Sequence, residues 1–346
     1  MRLLVLGGTE FAGRAVVEAA LGRGWEVTVL NRGRHAVAFR GAPPGAPSPA
    51  GVRTLRGDRT APGGLDALAS GEWDAVVDTW SAAPRAVDDA ARLLADRVGR
   101  YVYVSSCSVY AWAPPPGYDE DAPVVEGASP DADKTDYARD KRGGELAALG
   151  AFGAERSVFA RAGLILGPYE NIGRLPWWLG RIARGGPVLA PGPRELALQY
   201  VDVRDLAEWL LGSVERELSG AYNLISPQGH ATTGSLLDAC VRVAGGPGVE
   251  LRWTPAEAVL EAGIEPWTQL PVWVPAGSDG YDALHSADVS RAVATGLSCR
   301  PVEETVADTW RWLRDIGGSA PQRPDRPAVG LDPAVEAKVL GLPFVA

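Results

Sequence analysis

Short apolar runs alternate with segments of helical periodicity along the first 165 residues of the chain. This alternation is typical of a parallel sheet whose strands are joined by crossover helices. The fold class that it predicts is α/β, with a doubly wound parallel sheet. The apolar runs predict strands over Arg2–Leu6, Glu26–Leu30, Val52–Arg56, Asp74–Asp78, Tyr101–Ser105 and Ser157–Ala160. The periodic segments predict helices over Phe11–Arg23, Pro84–Arg97 and Tyr137–Leu149, with helix stops at Gly24 and Gly99.

A change in composition divides the chain into a larger first part and a smaller second part. Past Gly167 tryptophan and proline become more frequent, and strand-like segments occur at Gln199–Val203 and Ala221–Ile225. We therefore predict a parallel-sheet core over residues 1–165, with returning segments near 199–225. A smaller, mixed, C-terminal substrate-binding cap is predicted over 166–315, and a linker with a C-terminal tail over 316–346.

Two stretches are predicted to be long loops. The first is the glycine- and proline-rich stretch Gly41–Gly51, and the second is Ala113–Asp136. The second stretch follows the carboxyl end of a predicted strand, where open α/β sheets bind ligands. It is therefore a candidate substrate loop.

The composition narrows the class of protein. Hydrophobic residues make up 46% of the 346 residues and charged residues 22%, as in average soluble proteins. The net charge is -9, so the protein as a whole lacks the excess of basic residues that drives binding to phosphate backbones. We therefore expect a small-molecule substrate and no nucleic acid. The apolar run Leu3–Leu6 is too short for a signal peptide, and no segment reaches the ~18 apolar residues of a spanning helix. We expect no membrane contact.

Cysteine usage indicates a reducing compartment. Cys107, Cys240 and Cys299 are odd in number and widely spaced, which fits neither a disulfide framework nor a cysteine metal site. A cytoplasmic location is therefore expected. His35, His230 and His285 are isolated in sequence, and no metal site is predicted.

A glycine-rich turn joins the first predicted strand to the first predicted helix. In Gly7-Gly8-Thr9-Glu10-Phe11-Ala12-Gly13, Gly7 permits a tight turn and Gly13 permits close packing of helix on strand. Such a turn presents backbone N–H groups and a helix N-terminus to a pyrophosphate. Turns of this kind also occur for purely structural reasons.

The residues at the end of the second strand support the interpretation that the glycine-rich turn binds a nucleotide. In dinucleotide folds an acidic residue at this place selects NAD, whereas arginine accommodates the 2′-phosphate of NADP. The strand ends in Asn31-Arg32-Gly33-Arg34, without a carboxylate. We therefore predict NADP(H) as the preferred cofactor, with NAD(H) possible; the alternative is a pair of solvated loop arginines. Asp58, after the third strand, is a candidate partner of the adenine amino group, or an ordinary surface turn.

A serine, a tyrosine and a lysine form the candidate catalytic set. The fifth strand runs into Ser105-Ser106-Cys107-Ser108, and Tyr137 and Lys141 share one face of the helix that follows. A tyrosine with a pKa near ~10 is mostly protonated at neutral pH, and a neighbouring ammonium favours the phenolate that exchanges a proton with an alcohol or carbonyl. Lysine is scarce in this chain, occurring only at positions 134, 141 and 338, which gives this one more weight.

These motifs together resemble the short-chain dehydrogenase/reductase superfamily, in particular its extended, atypical NAD-dependent epimerase/dehydratase-like members. The resemblance rests on the glycine turn, the serine strand and Tyr137-x-x-x-Lys141. The segments Arg161–Pro168 and Tyr200–Ala207 extend it, and it covers residues 1 to about 315. The resemblance implies a Rossmann-type fold and an enzyme whose nicotinamide cofactor does the redox step.

The resemblance also implies roles for individual residues. Tyr137 is implied as the acid/base, Lys141 as the group that binds the nicotinamide ribose and lowers the tyrosine pKa, and Ser106 as the active-site hydroxyl. Ser108 is implied as a substrate contact, and relatives commonly pair through helices beside the active site, so a homodimer is possible. The residues predicted to contact the cofactor are Gly7, Thr9, Glu10, Phe11, Gly13, Asn31, Arg32, Asp58, Thr79 and Lys141.

Two positions depart from the family's pattern. Glu10 stands where the turn usually has its middle glycine, and a carboxylate there repels a pyrophosphate unless it points away. The same glycine is lost in an atypical branch that includes chloroplast stem-loop-binding-like proteins, so cofactor binding remains compatible with Glu10. Nucleotide-sugar epimerases and dehydratases usually carry an asparagine just before their Tyr-Gly-Pro after the sixth strand, whereas the corresponding stretch here is Leu164-Ile165-Leu166-Gly167-Pro168. The second departure argues against a sugar nucleotide as the substrate.

Several tryptophans are candidates for a substrate pocket. Trp80, Trp112 and Trp177 can line a pocket for a ring-shaped substrate, or they can be large core residues. Arg174, Arg181 and Arg184 lie on one predicted helix, where a solvated face is the expectation and an anionic ligand the alternative.

Three functions remain open at this point. The first is an NADP(H)-dependent oxidoreductase that transfers hydride between nicotinamide and a secondary alcohol or ketone, with Tyr137 as acid/base. The second is an epimerase or dehydratase that recycles its cofactor within one turnover. The third is a non-catalytic nucleotide-binding regulator or RNA-associated protein, which the retained Tyr137 and Lys141 and the net charge of -9 both disfavour.

Overall fold

The computed structural model of the protein describes residues 1–33, 51–132 and 135–343. Strands are β1 Arg2–Leu6, β2 Glu26–Asn31, β3 Val52–Arg56, β4 Trp73–Asp78, β5 Val98–Ser106, β6 Ser157–Ala162, β7 Ile165–Leu166, β8 Pro187–Pro191, β9 Ala197–Leu198, β10 Val201–Asp202, β11 Gly220–Leu224, β12 Ala231–Thr232 and β13 Glu250–Thr254. Helices are α1 Phe11–Gly22, α2 Arg85–Leu94, α3 Tyr137–Phe152, α4 Arg174–Ala183, α5 Val203–Glu215, α6 Thr233–Ala244, α7 Ala256–Glu261, α8 Asp279–His285, α9 Ser290–Ala294, α10 Val302–Asp315 and α11 Pro333–Val339.

Seven of the described strands form one parallel sheet. Their order is β11-β6-β5-β4-β1-β2-β3, so the chain builds outward from β1 to β3 and then crosses over to β4 on the other side. This is the doubly wound order, and it confirms the Rossmann-type α/β fold class. The strand order reverses between β1 and β4, and ligands of such sheets bind at the carboxyl ends of the strands around this point.

The central strands are buried on both faces. Leu3, Leu4 and Val5 are successive residues of β1 and each is fully buried, although their side chains point alternately to opposite faces. Helices α2 and α3 pack together, and α1 packs with α5. Burial on both faces explains why the sequences of these central strands are continuously apolar and do not alternate between apolar and polar residues.

The chain forms two compact units. The first contains residues 1–163, 203–225 and 288–298, and it holds the seven-stranded sheet. The second contains residues 164–202, 226–287 and 299–346. The sequence predicted one return of the chain to the first unit; the second return, at 288–298, was not predicted.

The second unit contains helices α4, α6 and α10 packed together and the parallel pair β8–β13. Its C-terminal helix α11 contacts β8 through Glu336, which accepts hydrogen bonds from the Leu189 backbone N–H at 3.0 Å and from Arg181 Nε at 2.6 Å. Arg181 is therefore buried in an ion pair, and the solvated face predicted for the α4 arginines is wrong at this position. Arg174 lies over the ring of Trp267, at 4.7 Å from its centroid.

Two further sequence predictions are wrong. Gly99 does not stop a helix, because α2 ends at Leu94 and Gly99 lies near the start of β5. The predicted strand Gln199–Val203 is reduced to β10 at Val201–Asp202, because α5 begins at Val203. Among the described residues, no helix combines the length and the apolar content that crossing a bilayer requires.

Two buried titratable side chains give the second unit opposite responses to pH. Burial lowers the pKa of His285 from 6.5 to about 4, and the ring accepts a hydrogen bond from the Gln199 backbone N–H at 3.2 Å. Burial raises the pKa of Glu170 from 4.5 to about 7, although this carboxylate accepts the Arg174 and Leu175 backbone N–H groups at the start of α4. His285 thus favours the folded state above pH 6.5 and loses this contribution toward pH 4. Glu170 favours it below pH 4.5 and loses its contribution toward pH 7.

We expect His285→Gln and Glu170→Gln to change the pH dependence of stability in opposite directions. Each shift corresponds to a contribution on the order of 3 kcal/mol to the free energy of unfolding. Relative to the wild type, His285→Gln should therefore gain stability as pH falls from 6.5 to 4, and Glu170→Gln as pH rises from 4.5 to 7. Denaturant unfolding at a series of pH values measures both; parallel trends in the two variants would contradict the assignment.

Candidate active site

The turn between β1 and α1 has the tight geometry that its glycines permit. Gly7 and Gly8 have φ angles of 116° and 88°, which only glycine adopts easily. A Cβ on Gly7 would lie 2.7 Å from Oγ1 of Thr79, and a Cβ on Gly13 would lie 2.7 Å from the Gly8 backbone nitrogen. The predicted residues Gly7, Gly13 and Thr79 are thus packed together around the turn.

The N-cap residue of α1 does not cap this helix with its side chain. Glu10 is the N-cap residue, but its carboxylate does not cap the helix and its side chain is exposed. Phe11 begins the helix with a φ of 31° and is almost fully buried, and Thr9 is half-buried beside it. The first turn carries no acidic residue, so the positive end of the helix dipole is not neutralised within the helix.

The carboxyl ends of β2 and β3 carry neighbouring basic side chains. Asn31 accepts the Gly33 backbone N–H on its side-chain oxygen at 2.8 Å, which orders the turn that exposes Arg32. Arg56 ends β3 opposite Asn31, and a Cβ on Gly33 would lie 3.2 Å from its Nε. Arg34, predicted as a partner of Arg32, lies outside the described residues. Sequence reasoning missed Arg56, although its place at the end of a predicted strand was a usable signal.

Asp58 begins a tight turn one residue beyond Gly57. Its Oδ1 accepts hydrogen bonds from the Thr60 backbone N–H at 3.1 Å and from the Thr60 hydroxyl at 2.7 Å. These bonds hold the carboxylate in one orientation at the carboxyl end of β3. Its predicted contact with adenine stays a prediction.

The serine strand brings two hydroxyl groups together at the end of β5. Ser106 is the last residue of this strand and is 8% exposed. Its Oγ lies 3.1 Å from Oγ of Ser108, and it also accepts the Ser108 backbone N–H at 3.1 Å. The predicted catalytic serine and the predicted substrate-contact serine are therefore neighbours.

Tyr137 and Lys141 occupy successive turns at the start of α3. Tyr137 is half-buried, and Lys141 is 2% exposed. Lys141 Nζ donates to the carbonyls of Trp80 at 2.5 Å and Val104 at 2.6 Å, and it lies 4.8 Å from the ring centroid of Tyr103. Burial, Asp78 and the neighbouring Tyr137 all raise the pKa of Tyr103. Tyr103 thus lies close to both candidate catalytic side chains.

A buried ion pair lies behind this cluster. Asp78 ends β4, is fully buried, and accepts two hydrogen bonds from Arg59, from Nη1 at 2.6 Å and from Nη2 at 2.7 Å. The Tyr101 hydroxyl donates to Asp78 at 2.5 Å. Burial opposes ionisation of Asp78, but the Arg59 charge outweighs it and holds the pKa of Asp78 below its usual range. Sequence reasoning missed this pair; a carboxylate ending the apolar run Ala75-Val76-Val77 was the available signal.

A second buried pair connects α3 to β5 and β6. Glu145 lies one turn beyond Lys141, is fully buried, and pairs with Arg161, with Nε to Oε1 at 3.0 Å. It also accepts the Ser105 hydroxyl at 2.7 Å and Arg142 NH1 at 2.7 Å. Tyr137, Lys141 and Glu145 thus share one helix face by their four-residue spacing, which the sequence already displayed.

The tryptophans predicted to line a pocket are in different environments. Trp80 is half-buried and its indole N–H donates to the Ala83 carbonyl at 2.8 Å. Trp112 is 70% exposed on the loop that follows β5. Trp177 lies on α4 in the second unit, with its ring edge-on to that of Trp178. Burial raises the pKa of the Cys107 thiol to about 12, which disfavours the thiolate form that a nucleophile needs.

Within residues 1–33, 51–132 and 135–343, no group of three His, Cys, Asp or Glu side chains is arranged to hold a metal ion.

The model of the NAD dependent epimerase/dehydratase family matches residues 3–224, which include the glycine turn, the serine strand and both turns of α3 described above. The chain belongs to this family. No match was found among curated proteins.

Three solved structures illustrate that the fold of the chain is shared with known proteins. The enzyme WbmH of Bordetella bronchiseptica, solved with NAD+, is 19% identical with a TM-score of 0.66 and covers 91% of this chain and 99% of its own. The UDP-glucose 4-epimerase of Thermus thermophilus, solved with NAD, is 23% identical with a TM-score of 0.61 and covers 91% and 99%. The dTDP-glucose 4,6-dehydratase of Bacillus anthracis, also solved with NAD, is 13% identical with a TM-score of 0.63 and covers 92% and 97%.

Proposed function

We propose that this member of the family is an NADP(H)-dependent oxidoreductase that interconverts a secondary alcohol and a ketone of a small molecule, with Tyr137 as the proton carrier. The observation that carries the proposal is the position of Lys141. Its ammonium is buried at the carboxyl ends of β4 and β5, one helical turn from Tyr137. Burying an ammonium costs free energy unless hydrogen bonds or an opposite charge compensate it, and here the Trp80 and Val104 carbonyls accept from it. The chain has only three lysines, and this one is held beside the candidate acid/base.

The residues of the glycine turn fit a dinucleotide. The close packing of Gly7 and Gly13 leaves backbone N–H groups at the uncapped N-terminus of α1, which suits a pyrophosphate. Glu10 is compatible with this because its exposed carboxylate does not cap the helix. Thr9, Phe11, Thr79 and Lys141 would complete the set that holds the cofactor. A bound nicotinamide supplies the hydride acceptor or donor.

The protein's own residues would handle the proton. Tyr137 would take the proton of a substrate alcohol on its phenolic oxygen, or return it to a carbonyl oxygen in the reverse direction. Ser106 and Ser108 would orient that oxygen by hydrogen bonds, because their hydroxyls are neighbours at the end of β5. Lys141 would favour the phenolate through its positive charge.

We expect Arg32→Ala and Arg56→Ala to weaken NADPH binding by roughly 10- to 100-fold each, because each removes a hydrogen bond between opposite charges. NADH binding should change little, since NADH has no 2′-phosphate. Quenching of tryptophan fluorescence by NADPH and by NADH measures both affinities. Arg53→Ala, at the other end of β3, is the matched control and should bind both cofactors like the wild type. Equal loss of NADPH and NADH affinity in the two test variants would contradict the preference.

The substrate class that we propose excludes sugar nucleotides. The stretch that corresponds to the asparagine-containing segment of nucleotide-sugar epimerases is Leu164-Ile165-Leu166-Gly167-Pro168, and both of its leucines are buried. An apolar, buried side chain there offers no amide to a polar substrate. The exposed ring of Trp112 and the half-buried ring of Trp80 favour an apolar or aromatic carbonyl compound.

A second candidate is an epimerase or dehydratase that recycles its cofactor, and family membership favours it. The two functions differ in one measurement. An oxidoreductase given NADPH and a panel of aryl ketones consumes the reduced cofactor stoichiometrically, which lowers the nicotinamide absorbance. An epimerase or dehydratase retains tightly bound cofactor through purification and shows no net absorbance change. Retained cofactor without consumption of NADPH would therefore overturn the first proposal in favour of the second.

A further inference from the structure

The carbonyl of Trp80 is an acceptor for the Lys141 ammonium. Trp80 lies two residues beyond the end of β4, so its backbone is not held by the sheet. Its carbonyl nevertheless accepts hydrogen bonds from Lys141 Nζ at 2.5 Å and from the Tyr103 hydroxyl at 3.1 Å. The Val104 carbonyl, by contrast, belongs to β5. Of the Trp80 and Val104 carbonyls, the Trp80 carbonyl is therefore the less constrained, and its position depends on the contacts around it.

Asp78 holds the turn that carries this carbonyl. Its Oδ1 accepts the Trp80 backbone N–H at 2.9 Å, and the same carboxylate is fixed by two hydrogen bonds from Arg59. The Arg59 guanidinium also lies over the Trp80 ring, 5.2 Å from its centroid, and donates to the Ala86 carbonyl at 2.7 Å. Three contacts thus hold the turn from Asp78 to Trp80. They are the hydrogen bond from the Trp80 backbone N–H, the contact of Arg59 with the Trp80 ring, and the ion pair of Asp78 with Arg59.

The same turn reaches the glycine turn after β1. Thr79 lies between Asp78 and Trp80, and its hydroxyl donates to the Leu6 carbonyl at 3.1 Å. That hydroxyl is also the atom that a Cβ on Gly7 would meet at 2.7 Å. The segment Asp78–Trp80 therefore contacts the candidate cofactor turn through Thr79 and the candidate catalytic Lys141 through Trp80.

We infer that Asp78, held by Arg59, is a positioning residue that sets the place of the Lys141 ammonium through the Trp80 carbonyl. The inference rests on the proposed function for its catalytic consequence, but the placement of Lys141 is measurable without activity. If Asp78 and Arg59 only stabilised the fold, the hydrogen bond from the Trp80 N–H to Asp78 would not be needed. Any well-packed apolar pair of similar volume would then serve equally well.

The test compares two double variants that both remove the buried charges. Asp78→Asn/Arg59→Gln keeps a side-chain oxygen that accepts the Trp80 N–H, whereas Asp78→Leu/Arg59→Leu does not. If the leucine pair does not fold, Asp78→Ala in the Arg59→Leu background removes the same acceptor with less side-chain volume. Tyr101→Phe is the matched control, since its hydroxyl contacts the other carboxylate oxygen, Oδ2.

Reductive methylation followed by peptide mass spectrometry reports the placement of Lys141 directly. The chain has only three lysines, and the exposed Lys338 is the internal reference. In the folded leucine pair we expect labelling of Lys141 relative to Lys338 to rise about tenfold, the population change that accompanies loss of one hydrogen bond to a charged group. The polar pair and Tyr101→Phe should remain protected like the wild type.

Turnover of aryl ketones with NADPH provides the second measurement. We expect kcat to fall by about tenfold or more in the leucine pair, and the polar pair to recover it, because an ammonium misplaced by a small distance loses its effect on Tyr137. Protection of Lys141 in a folded leucine or alanine variant would overturn the inference. Exposure of Lys141 in these variants, together with no NADPH consumption by the wild type, would support the positioning and reject the proposed function instead.

Discussion

Tyr137→Phe is expected to lower kcat for reduction of aryl ketones with NADPH by about 10³-fold, the usual contribution of general acid–base catalysis. The variant removes one oxygen atom from a half-buried side chain at the first position of α3. The helix start should be kept, because the Asp136 side chain caps it by accepting the Arg139 backbone N–H at 3.0 Å. The cofactor affinity should change little, since the proposed cofactor contacts lie elsewhere. Stopped-flow absorbance and fluorescence titration measure the two quantities.

Tyr222→Phe is the matched control for this variant. Tyr222 lies on β11 with its ring tilted against that of Trp209, and it is part of the core rather than of the candidate site. It makes the same chemical change, and we expect its turnover to equal that of the wild type. A Tyr137→Phe enzyme with wild-type turnover would rule out the phenol as proton carrier. Equal losses in both variants would indicate a general effect on folding.

The strands that position the site could be predicted because they are buried on both faces. The run Arg2–Leu6 is an example, because four of its five residues are buried and the strand has the bounds that the sequence predicts. Val52–Arg56 also has its predicted bounds, although most of this edge strand is exposed; Gly51 and Gly57 delimit it in the sequence. Gly99 was misplaced for the opposite reason. Glycine weakens a helix and a strand alike, and only tertiary pairing of Val98 with Trp73 decides that β5 already begins there.

The candidate site was predictable where its residues are close in sequence. Tyr137 and Lys141 share a helix face by spacing, and Ser106 ends a strand, so local rules place each of them on its element; their catalytic roles stay predictions. The pair Arg59–Asp78 joins residues 19 apart in the chain. No local rule pairs them, because the choice among the many arginines depends on which strand ends become neighbours in the sheet. The sequence did not predict a role for Arg56 for a related reason, since its approach to Gly33 follows from the register of β2 with β3.

Breaking the ion pair of Glu145 and Arg161 should be the most destabilising single change in the first unit that we consider. Glu145→Ala leaves the Arg161 charge buried, and we expect the free energy of unfolding to fall by about 3–5 kcal/mol. Burial disfavours the charged form of Arg161, but the hydrogen bonds and charge of Glu145 prevail and hold its pKa above the usual range. The variant also removes the acceptor of the Ser105 hydroxyl, whose strand carries Ser106. A Tm lower by roughly 10 °C in thermal unfolding is the expected readout.

Two controls separate the charge from the volume of the side chain. Arg142→Ala removes a hydrogen bond to the same carboxylate from its more exposed side, where the Arg142 side chain is 22% exposed, and should cost less than about 1 kcal/mol. Glu145→Met/Arg161→Met replaces both charges by apolar groups and should recover most of the lost stability. If the double variant were as unstable as Glu145→Ala, the cost would come from packing rather than from an unpaired charge. With stability restored, turnover in the double variant then measures how much the proposed catalysis depends on the contacts that hold α3 against β5.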